Sequence, residues 1–234
     1  MTSHNSPTSP DAATKTITTE RMKTKWNDEY WLMLMEVFLK KPIGLKPMYS
    51  HDMINLALEL HFPPQYLYKK MFRLRQLDTP LIERLWGKYS RNPKLLAKEV
   101  NLLRQMNGFN NAEAFYEGVD VTETFEADFK PLPEHNDITP VMLIMALDLY
   151  FRLTPNTMVP ETPEIVALAK RMGITPHRIT EIMDAYMFCD PYLTNKGHAD
   201  NALLAPCKEI WNKYGNGDPS QLASLAAQLN EYFN

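Results

Sequence analysis

Over residues 51–77, HDMINLALELHFPPQYLYKKMFRLRQL, apolar positions recur at helical spacing, stop, and resume. Met53, Ile54, Leu56, Ala57 and Leu60 fall on one helical face. Phe62, Pro63 and Pro64 break the pattern, and Leu67, Met71 and Leu74 take it up again. Two short helices joined by a tight turn, a helix-turn-helix, are the expected result. The period extends on both sides. Tyr30, Trp31, Leu34, Met35, Phe38 and Leu39 form a wide apolar stripe that Asn27 or Asp28 is placed to cap and that Pro42 and Gly44 end. Ser50 stands where the helix beginning at 51 needs a cap. Residues 80–89 and 92–106 read as two further helices, the latter with Pro93 in its first turn, where a missing N–H costs nothing.

The pattern then recurs in diverged form. Met33 and Met145 lie 112 residues apart, and the same offset pairs Met53 with Ile165, Leu56 with Leu168, Ala57 with Ala169, Pro64 with Pro176, Met71 with Met183 and Asp78 with Asp190. Trp86, Lys88 and Tyr89 meet Trp211, Lys213 and Tyr214 at an offset of 125, so the second copy gains 13 residues around 194–204. An apolar frame kept while the surface drifts is the mark of an internal repeat. The chain therefore reads as all-α: a tail over 1–25, a helical repeat over 26–106, a connection over 107–137 and a second repeat over 138–234. The two repeats are expected to pack on one another.

Charge divides along the same lines. The net charge of −3 and pI near 6.1 exclude a uniformly basic coat protein. Residues 26–106 nevertheless carry 13 basic against 8 acidic side chains, and residues 107–137 carry 1 against 8. Attraction to phosphate belongs to the first repeat. The acidic connection also holds Phe115, Tyr116, Phe125 and Phe129, rings that gain by burial, so it is expected to pack along the repeats. The tail, rich in Ser, Thr and Pro, is expected to be disordered. Two cysteines, Cys189 and Cys207, with no close spacing, match a reducing compartment, and no apolar run reaches the ~18 residues of a membrane span. A cytoplasmic location and no membrane partner are the expectation.

One stretch also carries a resemblance. Ala146 to Leu153, ALDLYFRL, is followed by Pro160, by TPEIVALA from Thr162, by Gly173, Thr175 and Pro176, and by Cys189, Asp190 and Pro191. This set resembles the helical N-terminal module found ahead of the nuclease domain in some bacterial HNH restriction endonucleases. It covers a third to a half of the second repeat. The resemblance implies an accessory helical fold. It implies no nuclease, since the six histidines are scattered and no His-Asn-His constellation follows. The whole chain is similar to two-repeat helical proteins of gut Bacteroidetes, a likeness that implies no function.

The sharpest candidate site is the basic face of the second helix in the first repeat. In a helix-turn-helix the early turns of that helix reach base edges, which selects Gln65, Tyr66, Lys69, Lys70 and Arg73, with Arg75 further on. Gln and Arg make bidentate base contacts and Lys neutralises phosphate, so double-stranded DNA is the partner this face fits. The competing account is a solvated helix face with cations near its C-terminus. Tyr68, Met71 and Phe72 mix into it, and the equivalent helix of the second copy carries His177, Arg178, Glu181 and Asp184. Lys88, Arg91, Lys94 and Lys98 either extend a phosphate track or form an ordinary polar outer face. Trp86 and Trp211, with Tyr89 and Tyr214, recur in both copies and read as a shared structural wedge.

Catalytic chemistry finds no foothold. Cys189, Asp190, His198 and Cys207 match no zinc spacing. Glu36 and Asp148 sit at equivalent points of strongly apolar helices, where a carboxylate usually lies at the edge. Gly-rich phosphate loops, GxSxG and HExxH are missing. No cofactor, no metal and no enzymatic activity are expected. The 14 methionines fall at apolar positions, as core filling or as a pliable groove. The expected function is DNA binding through the first repeat, with a helical scaffold for a protein partner as the rival.

Overall fold

In the computed structural model the described residues are 26–106, 125–193 and 201–234. Every regular element among them is helical; the sole extended pairing is an isolated bridge between Leu132 and His135. The first half contains α1 (Tyr30–Leu39), α2 (His51–Leu60), α3 (Pro64–Gln76), α4 (Pro80–Tyr89) and α5 (Pro93–Gln105). A short α6 (Phe125–Asp128) leads into α7 (Pro140–Arg152), α8 (Pro163–Met172), α9 (Pro176–Cys189), α10 (Asn201–Ile210), a π-type turn (Trp211–Gly215), α11 (Pro219–Leu229) and a final 3-10 turn (Asn230–Phe233). Among these helices none is long and apolar enough to cross a membrane. The tail, Phe115, Tyr116 and most of the 13-residue gain fall outside the described residues.

Proline sets the starts. Pro64, Pro80, Pro93, Pro140, Pro163, Pro176 and Pro219 each open a helix, where the fixed φ suits the first turn. Thr79, Asn92, Thr175 and Asp218 add side-chain caps to backbone N–H groups. Two expected caps differ. The cap position of α1 is Glu29, already in helical backbone, because a preliminary turn forms in which Asn27 accepts from the Glu29 amide at 3.2 Å. Ser50 does precede α2, but its hydroxyl is buried and makes no capping bond.

The two halves place helices alike. α2 and α8 start and end 112 residues apart, as do the starts of α3 and α9. In each half the first helix packs on the second, third and last, and the second on the third. The turn after the second helix is the same in both. Phe62 donates from its amide to Ala57 at 3.1 Å and Ile174 to Ala169 at 3.1 Å, with His61 and Gly173 left-handed (φ 56 and 72). Phe38 meets Trp86 edge-on at 5.7 Å and Tyr150 meets Trp211 edge-on at 5.9 Å.

Two apolar cores result. One gathers Trp31, Met33, Met53, Leu67, Met71, Ile82, Tyr89 and Val100, the other α7 with Ile165, Ile182, Tyr186, Cys207 and Trp211. They meet across α2, whose Ile54 belongs to the second core and whose other buried residues belong to the first. Phe125 packs against both, Phe129 is buried in the second, and the His51 ring stacks on Tyr232 at 5.6 Å. His61 meets Glu126 of α6 at 2.8 Å.

One polar group holds the loop after α1. The Lys46 ammonium, buried, donates to the carbonyl of Lys40 at 2.6 Å and to that of Pro42, and burial lowers its pKa. Lys46→Met keeps the stem and leaves two carbonyls without their donor. A loss of about 1–3 kcal/mol is expected in denaturant titration of the variant against the parent.

Candidate nucleic-acid interface

The three-residue turn 61–63 delivers the chain into α3. Leu67, Met71 and Leu74 anchor this helix in the first core, with Pro64 buried at its start. At 100° per residue, Lys69 then stands mid-way on the outward face with Gln65, Phe72 and Gln76. Arg75 and Tyr68 lie along one edge of that face, and Tyr66, Lys70 and Arg73 along the other.

The five residues selected from sequence do not act as one group. Lys70 is turned into an aromatic cluster, its ammonium 4.6 Å from the Trp26 ring centroid, 5.2 Å from Trp31 and 5.3 Å from Tyr66. Three rings around one cation give a partly desolvated cation–π site. Tyr66 is a wall of it, stacked on Phe62 at 4.9 Å. Arg73 donates to Asp78 at 2.5 Å and lies 6.0 Å from the Trp31 ring. Gln65 donates to the Tyr49 hydroxyl at 2.7 Å, an exposed bond of the kind exchanged with water at little cost. Only Lys69 of the five is exposed with no ion pair or hydrogen bond to the described residues, and Arg75 shares that condition. Phe72, 39% exposed, and Tyr68 make an edge-to-face pair between them at 5.4 Å.

The corresponding helix of the second half shows a related division. At the 112-residue offset Lys70 corresponds to Ile182 and Arg73 to Ala185, and both of those are fully buried in the second core. Lys70 thus holds an inward-leaning position, closed there by aliphatic packing and here by cation–π contact, whereas the Arg73 side chain stays 45% exposed beside Asp78. Lys69 corresponds to Glu181.

The helix α9 is tied down where α3 is open. Arg178 pairs bidentately with Asp137 at 2.9 and 3.0 Å, reaches His135 at 3.0 Å and also binds Glu181. The Arg178 hydrogen bonds hold the Asp137 carboxyl below the usual carboxylate range. Asp128 and Asp184 are shifted upward, chiefly by burial. For Asp137 the stabilising contribution is complete above pH ~4, its unfolded value, and is lost as pH falls through the lower folded value. Asp137→Asn is expected to cost no more than about 1 kcal/mol at pH 7, as for an ion pair half in water, and progressively less as the pH falls through the folded value. Urea titrations at a series of falling pH values check this.

The remaining candidates are placed as follows. Glu36 pairs with Arg104 at 3.3 Å, and Arg104 also grips Glu59 at 2.6 and 3.1 Å, binding α5 to α1 and α2. Asp148 pairs with Arg152 at 2.7 Å. Asp190 accepts from the Tyr150 hydroxyl at 2.8 Å. His198 lies outside the described residues. Among the described residues no cluster of His, Cys, Asp and Glu has the makings of a metal site. Lys94 and Lys98 line a shallow groove of about 480 Å³ on the outer face of α5, with Leu102 and Gln105. No family model matches the chain, and no curated protein or solved structure is significantly similar to it.

Proposed function

We propose that this chain is a non-catalytic intracellular protein that binds double-stranded DNA through α3, and that its second half is a diverged copy serving as the structural partner of the first. The observation that carries the reading is the outward face of α3. Lys69 stands there and Arg75 at its edge, both without an ion partner among the described residues, on the second helix of the proposed helix-turn-helix, in the half of the chain where basic residues outnumber acidic ones 13 to 8. About 9 Å along the helix axis and about 120° around it separate them, so a duplex laid on the Lys69 face meets Arg75 at its margin. Gln65, released from Tyr49, supplies a base contact from the first turn. Lys70 supports the face from behind by fixing the aromatic cluster under it.

A mobility shift with random-sequence duplex tests this. A complex forms at low salt and weakens steeply as salt rises, because phosphate contacts release counterions. The exposed Tyr68–Phe72 pair favours a second reading, a helical scaffold that receives a protein partner on the same face. No shift at any salt concentration, together with a stable protein complex that Phe72→Ala abolishes, decides for the scaffold.

A further inference from the structure

The two cysteines lie eighteen residues apart on consecutive helices, Cys207 within the second core and Cys189 packed against it. α9 and α10 are consecutive helices that pack on each other, and Tyr186 of α9 meets Trp211, at the end of α10, with ring centroids 6.3 Å apart. Cys189 is three residues after Tyr186 and Cys207 four residues before Trp211, each one helical turn further on along the face that makes this contact. Both steps lead toward the connection between the helices. In a helical hairpin they run side by side, so both thiols lie near the Tyr186 phenol and close enough to each other to interact electrostatically. The Cys207 thiol lies against the Tyr186 hydroxyl, which itself donates to the Leu143 carbonyl at 2.8 Å. Cys207 is fully buried and Cys189 is partly open to solvent.

We propose that Cys189 and Cys207 form a redox couple in which a hydroperoxide oxidises Cys189 and Cys207 then closes on it, giving a disulfide that staples α9 to α10. In the first step the Cys189 sulfur takes the terminal oxygen of the hydroperoxide and becomes a sulfenic acid, while the oxidant leaves as an alcohol, or as water when it is hydrogen peroxide. In the second the Cys207 sulfur bonds to the Cys189 sulfur, and its proton departs with the hydroxyl as water. Two thiols lose two hydrogens and one peroxide O–O bond is reduced. The order follows from access. Burial pushes the Cys207 thiol well up, so it stays protonated and waits, and the partly exposed Cys189 meets the oxidant first.

The full chain treated with hydrogen peroxide, denatured in an alkylating agent and digested without reductant gives the answer. The expected product is one peptide pair joined through Cys189 and Cys207, lighter by two hydrogens than the free peptides and separated by dithiothreitol. Alkylated Cys207 beside Cys189 carrying two or three oxygens overturns the proposal, and so do two alkylated thiols. Cys207→Ala is expected to accumulate a Cys189 sulfenic acid that dimedone traps, at several times the level in the parent. Should that variant fail to fold, the peptide map of the parent decides alone.

Discussion

Lys69→Glu combined with Arg75→Glu is expected to abolish the salt-dependent complex with duplex DNA while leaving the fold intact. Both side chains are exposed and neither has an ion partner among the described residues, so their replacement removes no internal contact. The loss is electrostatic. Two phosphate contacts disappear, which lowers the salt slope by about 1.8, and two negative charges face the phosphates in their place. A fall in affinity of about a hundredfold or more at low salt is the estimate from about tenfold for each reversed charge. Lys70→Gln with Arg73→Gln is the contrasting variant. It opens the aromatic cluster under Trp26 and Trp31 and breaks the bond to Asp78. Stability should drop by about 1–3 kcal/mol, with the salt slope kept for the folded fraction. Binding that survives the Lys69 and Arg75 reversal removes the outward face of α3 as the DNA-facing element, and binding that vanishes with its slope in the folded Lys70 and Arg73 variant moves the contact to the other edge of the same helix.

Trp211→Ala should produce the largest loss of stability of any single substitution considered, about 3–5 kcal/mol. The indole is 6% exposed and is surrounded on several sides, by Tyr150 at 5.9 Å, Phe151 at 5.5 Å and Tyr186 at 6.3 Å. Gly215 closes the space from below: a Cβ there would stand 2.7 Å from the ring. The buried Tyr150 and Tyr186 rings limit collapse from their sides, so part of the vacated volume stays as a cavity. Set against a total of about 5–15 kcal/mol, this leaves a marginal fold. Trp86→Ala removes the equivalent ring, which packs on Phe38 at 5.7 Å but is only partly buried, and should cost about 1–2 kcal/mol. Thermal unfolding of the two variants side by side checks the order; equal losses would mean that the two aromatic pairs are not buried as described.

Much of the fold was legible because proline punctuates it. The helix expected over 80–89 has those bounds, and 92–106 differs from α5 by one residue at each end, since Pro80 and Pro93 mark first turns without ambiguity. The caps were less legible. Whether a Ser hydroxyl turns to the backbone or into the core depends on tertiary neighbours, and Ser50 turned inward. The candidate site was half legible. Four cations on one short helix read as one basic face, but the partner of Lys70 is Trp26, more than forty residues upstream, and no local rule brings it there. A signal was present nonetheless. Setting the two halves in the 112-residue register places Lys70 opposite Ile182, and a buried aliphatic residue at that step identifies an inward-leaning position, though the same register sets the exposed Arg73 opposite the buried Ala185. The bond from Arg178 to Asp137 likewise spans forty-one positions and left no trace in local composition.

The placement of Ile54 sets how the molecule comes apart. Because α2 lends one side chain to the second core while building the first, and Phe125 touches both, neither half owns a complete hydrophobic surface. A protein severed in its acidic connection would release fragments with raw seams, Ile54 bare on one and the pocket that received it empty on the other. Heat should therefore dismantle the intact chain in a single step, the two cores failing together through the helix they share.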